Sequence, residues 1–238
     1  MAIIARNTLT LMLVALCLSS PVNSYAQQPA SDHALSDSPF PIGELRCKRG
    51  GSIRTVHGTV VGDRYTVFTV AHFSDEPDLK PGATLVDCTF RMFDEVGRTN
   101  FKSAVTIVSR PTMSQSLSAA LDWAILRLDK PAPAKPAAFT SHLAGQDRGP
   151  TVMVHLRRVR EKRLARVEQG CTISPVKPKS IVLSHDCLSW SGTSGSPLLS
   201  ATDDGFRVFA VQAKQGGLAV GLAGWPLEEL RSAIRVGG

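Results

Sequence analysis

Short runs of aliphatic and β-branched residues, separated by turn residues such as Gly62-Asp63 and Pro81-Gly82, recur along most of the chain. In the first half these runs are Ile53–Val61, Tyr65–Val70, Thr84–Arg91, Ala104–Ser109 and Trp123–Leu128. In the second half they are Thr151–Leu156, Arg163–Val167, Ile181–Ser184, Pro197–Ser200, Phe206–Ala213 and Leu218–Leu222. Short strands of this kind in two groups predict an all-β protein made of two packed β-barrels.

The pattern also predicts where the two halves meet. A segment rich in Pro and Ala lies within residues 131–150 and has the composition of a linker. We therefore predict a first barrel over residues 46–130 and a second over residues 151–238. The second ends in a helix that Pro226 opens. Its apolar positions, Leu227, Leu230 and Ile234, recur at helical spacing.

The N-terminus has the features of an export signal. Arg6 is the only charge in residues 1–26, Leu9–Leu18 is almost entirely apolar, and Ser24-Tyr25-Ala26 fits a signal peptidase site. The apolar run is too short for a stable membrane span, although an uncleaved anchor is the alternative. We expect a secreted or periplasmic protein without a membrane span after signal removal, with residues 27–45 as a flexible lead-in or short pro-segment.

Four cysteines follow the predicted signal: Cys47, Cys88, Cys171 and Cys187. An even number in an oxidising compartment predicts disulfides, and four cysteines allow three connectivities. We favour Cys47–Cys88 and Cys171–Cys187, which place one bridge in each half; free buried thiols are the alternative. No two cysteines have the close spacing of a zinc site, so no metal is expected.

Composition and charge narrow the classes of partner. Hydrophobic residues make up 43% and charged residues 20% of the chain, as in ordinary globular proteins. The formal net charge of +7 raises the question of a nucleic-acid partner. Residues 154–180, however, contain eight Lys or Arg against two Glu, and this local excess accounts for nearly all of the net charge. We expect no nucleic acid. This basic stretch has two interpretations. It is either a solvated hairpin, or a surface made by Arg157, Arg158 and Arg160 that binds acidic substrates or another anionic partner.

Three places contain residues suited to catalysis, and the first is Ser191–Pro197. Ser194 stands before Gly195 and near Gly192, in a segment able to form a tight turn. Such a turn can aim the amides of Gly192 and Ser194 at one point, as an oxyanion hole requires. A serine hydroxyl also needs a neighbouring base. Taken alone, the segment could equally be an ordinary Gly/Ser-rich loop.

The other two places supply a base and a carboxylate. His72 ends the apolar run that leads through Thr69, and histidine side chains ordinarily exchange protons near neutral pH. Asp122 stands just before the run Trp123–Leu128, where it could be partly buried and orient a histidine. Each residue alone could be a bystander, and five other histidines compete with His72: His33, His57, His142, His155 and His185.

Taken together, the three motifs resemble those of the chymotrypsin-like serine peptidases. Thr69-Val70-Ala71-His72 is similar to the family's T-A-A-H motif, and Asp122–Leu126 to its D-I-A-L-L strand. Gly192–Pro197 is similar to its G-D-S-G-G-P motif, with an ending like that of the bacterial branch containing the glutamyl endopeptidases. The resemblance implies two six-stranded antiparallel barrels with a catalytic site between them.

The resemblance also implies roles for the residues. Ser194 would attack a peptide carbonyl, His72 would take its proton, Asp122 would hold His72, and the Gly192 and Ser194 amides would stabilise the oxyanion. No cofactor is needed. The implied activity is that of an exported serine endopeptidase acting on protein or peptide substrates. The alternatives are a catalytically silent relative that binds a partner or an anionic polymer, and an esterase, which lacks the usual G-x-S-x-G elbow.

The expected substrate pocket departs from the family pattern. Leu188 stands where trypsin-like members have an aspartate, so specificity for Lys or Arg is not expected. Ser189 matches a hydroxyl residue of the glutamyl endopeptidases, but their pocket histidine is replaced by Val211 or Gln212. Thr193 replaces the aspartate that pairs with a new N-terminus in animal enzymes. Val211, Gln212 and Ala213 would form the strand that pairs with the substrate backbone.

Overall fold

The computed structural model describes residues 31–33, 40–49, 51–74, 80–111, 118–141, 151–202 and 205–236; the predicted signal segment and His142 lie outside these ranges. In chain order the strands are β1 (Ser31–His33), β2 (Ile42–Arg49), β3 (Ser52–Val60), β4 (Thr66–Thr69), β5 (Cys88–Phe93), β6 (Thr99–Ser103), β7 (Val105–Ser109), β8 (Ala124–Leu128), β9 (Ala138–Phe139), β10 (Thr151–Val159), β11 (Lys162–Cys171), β12 (Ile173–Pro175), β13 (Val182–His185), β14 (Pro197–Thr202), β15 (Gly205–Lys214) and β16 (Leu218–Gly221). Helix α1 (Trp225–Val236) follows the last strand.

Within the described ranges the strands form two curled sheets. The first has seven strands in the order β6-β5-β2-β3-β4-β8-β7. The second has nine, in the order β1-β11-β10-β14-β15-β16-β13-β12, with β9 paired in parallel to β15. The predicted all-β class with two barrel-like halves and a C-terminal helix is confirmed. The barrels are open, however, and with seven and nine strands they differ from the six expected. Irregular strand pairings in both sheets increase their local twist and curl.

Burial along the strands follows from the position of each strand in its sheet. In β5 and β7, buried and half-buried residues alternate, as expected when one face meets the core. All four residues of β4 are buried, because β4 lies in the middle of its sheet and α1 packs near it. The most enclosed strands of the first sheet, β4 and β8, therefore make a rigid base for the residues at their ends.

Helix α1 returns from the second half of the chain to the first sheet. Leu227, Leu230 and Ala233 are buried, and Trp225 packs edge-on against Trp123 with 5.1 Å between ring centroids. Trp123 precedes β8 directly, so the helix braces the start of that strand. Among the described residues, no helix is both long and apolar enough to cross a membrane.

Two disulfides join the cysteine pairs that the sequence favoured. Cys47 and Cys88 lie opposite each other on β2 and β5, with a Cα–Cα distance of 4.0 Å. Cys171 and Cys187 are 5.0 Å apart between Cα atoms and tie the end of β11 to the segment that leads to Ser194. Each half of the molecule therefore contains one covalent bridge.

The segment predicted as a linker also contacts both sheets. The Ala137 amide donates to Val60 of the first sheet, and the Thr140 amide donates to Val208 of the second. At the N-terminal side, β2 begins at Ile42, inside the range expected as a lead-in, and its first residues are buried. The linker segment therefore ties the two sheets to each other.

Candidate active site

The pairing of β4 with β8 brings His72 and Asp122 together. Thr69 lies opposite Ala124 in this antiparallel pair, so the end of β4 meets the start of β8. A short 3₁₀ turn, Ala71–Phe73, carries His72 just beyond β4. Asp122 lies between a second 3₁₀ turn and β8. Two residues 50 positions apart in the chain are thus neighbours because the strands before and after them are paired.

The Asp122 carboxylate is fully occupied by hydrogen bonds. The residue is 1% exposed, and its Oδ1 accepts the backbone N–H groups of Ala71 and His72, each at 3.0 Å. Its Oδ2 accepts from Nδ1 of His72 at 2.7 Å. Because the ionised carboxylate can only accept, the ring proton belongs on Nδ1, and Nε2 is left with a lone pair. The His72 side chain is 27% exposed, so that lone pair can face the crevice.

The segment around Ser194 is pressed against β3 of the first sheet. The His57 amide donates to the Ser194 carbonyl oxygen at 2.7 Å. Gly195 has a φ of +81°, and a β-carbon there would lie 1.9 Å from the His57 carbonyl oxygen. Only glycine avoids both the strain and this clash. Since Gly58 beside His57 pairs with Thr69, the serine lies close to the end of β4 that leads to His72.

The turn before Ser194 leaves two amides without internal partners. The N–H and Oγ1–H of the buried Thr193 both donate to the Trp190 carbonyl, at 3.1 and 2.9 Å. The Gly195 amide donates to Gln212. Among the described residues, the amides of Gly192 and Ser194 donate to no backbone carbonyl. The Ser194 hydroxyl is likewise not hydrogen bonded to His72. The turn therefore has two spare donors, the number that an oxyanion hole uses.

A second histidine–serine pair, His57 with Ser196, lies behind the Ser194 turn. Ser196 Oγ is 3.1 Å from His57 Nδ1, a combination of residue types that also fits part of a catalytic triad. Ser196 is fully buried and His57 is 3% exposed, and burial lowers the pKa of the histidine. The second ring nitrogen lies 3.0 Å from the Leu156 amide rather than against a carboxylate. This pair bridges β3 of the first sheet to β10 of the second.

The residues expected to form the substrate pocket fall into two groups. Val211, Gln212 and Ala213 are buried in β15, whereas Leu188 is 46% exposed and Ser189 is half-buried. Within the expected pocket, the Gln212 side chain is therefore enclosed by protein, whereas the Leu188 side chain is open to solvent.

The Gln212 side chain is held on both sides. Its carbonyl oxygen contacts Nε2 of His185, and its amide donates to the Lys214 carbonyl at 2.6 Å. Burial lowers the pKa of His185, which favours the neutral ring. The sequence did not identify this His185–Gln212 pair, because the residues come from different strands. The described residues contain no group of three His, Cys, Asp or Glu side chains that could hold a metal ion.

Comparison with solved structures identifies the fold. A protease named Anisep from Arthrobacter nicotinovorans superposes with a TM-score of 0.60 at 16% identity, covering 87% of this chain and 99% of its own. The thermostable serine protease AL20 from an extremophilic microorganism gives 0.56 at 14% identity, covering 78% and 91%. Tobacco etch virus protease, crystallised with product, gives 0.54 at 18% identity, covering 82% and 79%. The chain has the chymotrypsin-like fold.

This fold agrees with the one that the sequence motifs implied. The likeness is one of architecture, since no family profile and no curated protein sequence matches the chain. In the chymotrypsin-like fold of this protein, His72 and Asp122 lie at the ends of strands of the first sheet, and Ser194 precedes β14 of the second. The roles of individual residues rest on the geometry described above.

Proposed function

We propose that this protein is an exported serine endopeptidase that uses His72, Asp122 and Ser194 as its triad. The observation that carries the proposal is the His72–Asp122 pair, in which three hydrogen bonds fix a buried carboxylate and leave Nε2 of the histidine available. This pair lies beside a serine held in a glycine turn, within a fold shared with known proteases. Peptide hydrolysis accounts for all of these features together.

The reaction proceeds in two halves. Ser194 Oγ attacks the peptide carbonyl carbon while Nε2 of His72 takes the hydroxyl proton. The Gly192 and Ser194 amides donate to the oxyanion, and Asp122 stabilises the imidazolium. His72 then gives its proton to the leaving amine, which departs as the carbon–nitrogen bond breaks. Water repeats the sequence on the acyl-enzyme and frees the serine. Side chains and backbone amides supply every group that these steps use.

Val211 and Gln212 are already paired with the Ser196–Pro197 segment on one side and with β16 on the other. In this proposal the substrate backbone therefore pairs with the end of β15, from Ala213 onward. Leu188 and Ser189 border the approach to the serine. The resemblance to glutamyl endopeptidases stays a prediction at the level of sequence motifs. The oxygen of the Gln212 amide is engaged with His185, so recognition of a substrate side chain there would depend on that pair.

Export is the other part of the proposal. The predicted signal at residues 1–26 and the two disulfides fit a secreted or periplasmic enzyme. Because β2 begins at Ile42 and its first residues are buried, a pro-segment would have to end before that strand. Comparing the activity of the full chain with that of chains beginning at residues 27 and 40 tests whether such a segment must be removed.

One observation favours the alternative, a silent relative that binds a partner. The Ser194 hydroxyl and the His72 ring are not hydrogen bonded to each other among the described residues. In a peptidase this contact forms when the substrate closes the site, because catalytic hydrogen bonds are often long before substrate binds. In a silent relative the contact would never form.

A fluorophosphonate probe distinguishes the two functions. We expect the exported protein to be labelled at Ser194, and labelling to be lost in Ser194→Ala. Ser196→Ala is the matched control, because it removes the neighbouring buried serine and should still be labelled. Failure of the folded, processed wild type to react would contradict the peptidase proposal and favour the silent relative.

A further inference from the structure

A pocket of about 590 Å³ opens beside the turn that precedes Ser194. Trp190 and Gly192 form part of one wall, and the opposite wall contains Arg157, Arg158, Arg163 and Arg166 from β10 and β11. We call this site the arginine pocket. The triad does not use these four arginines, which line a pocket beside the backbone turn that is proposed to bind the oxyanion.

The charge of the arginine pocket is not balanced by its own carboxylates. Glu44 also lines it, but this buried residue is already shared between Arg91, at 2.9 Å, and Arg163. Arg157 and Arg158 are exposed at the rim, and neither forms an ion pair with a described residue. The pocket therefore has an excess of positive charge that an anionic group of the substrate can neutralise.

The inner part of the pocket is held in place before any ligand binds. Glu44 fixes the Arg163 guanidinium, and Arg166 lies over the Trp190 ring with 6.0 Å to its centroid. Arg166 Nε is buried without a hydrogen-bond acceptor, and Glu168 Oε1 is 3.8 Å away from it. Because that nitrogen is buried, a ligand would meet the terminal nitrogens of Arg166, whose side chain is 22% exposed. A guanidinium held in place in this way binds a carboxylate at low entropic cost, and its planar fork suits two-oxygen recognition.

The sheet order decides on which side of the scissile bond this pocket lies. Ser194 leads into β14, which has β15 on one side and β10 on the other. In the proposed function the acyl part of the substrate pairs with β15. A chain that crosses the serine from β15 continues toward β10 and β11, where the arginines are. The pocket thus meets residues C-terminal to the cleaved bond.

We propose that the arginine pocket binds an acidic side chain on the leaving-group side of the substrate, so that this enzyme prefers Asp or Glu shortly after the cleaved bond. This inference rests on the proposed peptidase function and on the direction of the substrate along β15. It replaces the general basic surface of Arg157, Arg158 and Arg160 with a defined pocket next to the proposed oxyanion hole, which Arg160 does not line.

The test is a cleavage profile on a proteome-derived peptide library read by mass spectrometry. We expect wild type to enrich Asp and Glu in the first three positions after the cut. For the best peptide, changing those acids to Asn or Gln should lower kcat/KM on the order of tenfold to a hundredfold. In Arg157→Gln/Arg158→Gln and in Arg166→Gln this discrimination should fall toward unity.

Lys177→Gln/Lys179→Gln is the matched control, since it removes two charges from the same basic stretch outside the pocket. No acidic enrichment after the cut, or equal losses in the control and the arginine variants, would overturn the proposal.

Fluorophosphonate labelling separates this failure from failure of the peptidase function. If wild type is neither labelled nor active, the peptidase function fails. Anisotropy of a fluorescein-labelled tetraglutamate peptide then tests the pocket, and equal affinity in wild type and Arg157→Gln/Arg158→Gln would refute it.

Discussion

Two histidines at the junction of the sheets have opposite surroundings. His72 has a side chain that is 27% exposed and bonds to a buried carboxylate, whereas His57 is 3% exposed and contacts Ser196 and the Leu156 backbone. Both lie near the Ser194 turn. Only His72 combines a carboxylate partner with a ring face that solvent and substrate can reach.

This difference shows that a histidine near a serine is not by itself a catalytic pair. Proton transfer to a substrate requires access, and a base that gains charge during the reaction requires an anion to stabilise it. His57 lacks access, since it is 3% exposed, and no carboxylate bonds to its ring; Glu44 nearby raises its pKa, but burial has the larger effect and lowers it. Its two ring nitrogens instead join β3 to the Ser196 segment and β10. We therefore interpret His57 as a positioning residue for the turn and His72 as the proposed base.

Replacing each histidine by glutamine tests this comparison with the largest expected effect. His72→Gln should lower kcat on the order of 10⁶-fold, the size seen when a triad base is removed, with little change in the urea midpoint. His57→Gln should mainly lower the urea midpoint, and the folded fraction should keep kcat within about tenfold. A loss of kcat in folded His57→Gln as large as that in His72→Gln would reverse the assignment.

The next largest loss of kcat is expected at Asp122, the carboxylate partner of His72. Asp122→Asn should lower kcat by about 10⁴-fold, because an amide can present its N–H₂ to Nδ1 and favour the wrong tautomer. Asp63→Asn is a suitable control, since Asp63 also accepts two backbone N–H groups and contacts an arginine but no histidine. Steady-state kinetics on one peptide substrate would measure both; equal losses would show that the effect is not specific to the histidine.

A glycine substitution tests the contact between His57 and the Ser194 turn. A β-carbon at Gly195 would meet the His57 carbonyl at 1.9 Å, so Gly195→Ala should push the turn from β3 and reduce both labelling by the fluorophosphonate and thermal stability. Gly205 also has a positive φ, of +114°, but has nothing within 4 Å of its would-be β-carbon. Gly205→Ala should lower the free energy of unfolding by about 1 kcal/mol and leave fluorophosphonate labelling unchanged. Normal labelling in Gly195→Ala would show that the contact does not position the serine.

The smallest effect concerns pH and the buried histidines behind the site. Burial lowers the pKa of His155 to about 3, and the pKa values of His57 and His185 also lie below their ordinary value. Between pH 6.5 and 3 the unfolded chain binds more protons than the folded one. The free energy of unfolding should therefore fall as pH is lowered through this window, by up to about 1.4 kcal/mol per pH unit from His155, and His57 and His185 act in the same direction.

Urea titrations at several pH values would measure this slope. Both ring nitrogens of His155 are buried without a hydrogen-bond partner among the described residues, and the ring packs edge-on against Trp190 at 4.5 Å. His155→Phe keeps the ring contact and removes the titration, so it should flatten the slope and raise stability at pH 7 by about 1 kcal/mol. An unchanged slope would show that His155 does not contribute to the acid sensitivity.

Much of the fold and part of the site were predictable because local signals determine them. Aliphatic and β-branched runs predicted most of the strands, but β1, β2, β6, β9 and β12 were missed. β1 and the start of β2 lie in the expected lead-in, β6 is mostly exposed, and β9 and β12 have only two and three residues. The three catalytic candidates were found through short motifs. The Glu44–Arg163 ion pair and the arginine pocket were not, because they join residues more than a hundred positions apart.

The sequence by itself left the pairing of the four cysteines open, but it determined the all-β class, the C-terminal helix and the identity of the candidate residues. These depend on periodicity, turn chemistry and side-chain type, which are local properties. Tertiary structure alone decided which histidine is accessible, which serine is buried and where the arginines of the β10–β11 hairpin point. Burial and charge balance depend on the packing of one sheet against the other, and no local pattern in the chain encodes that.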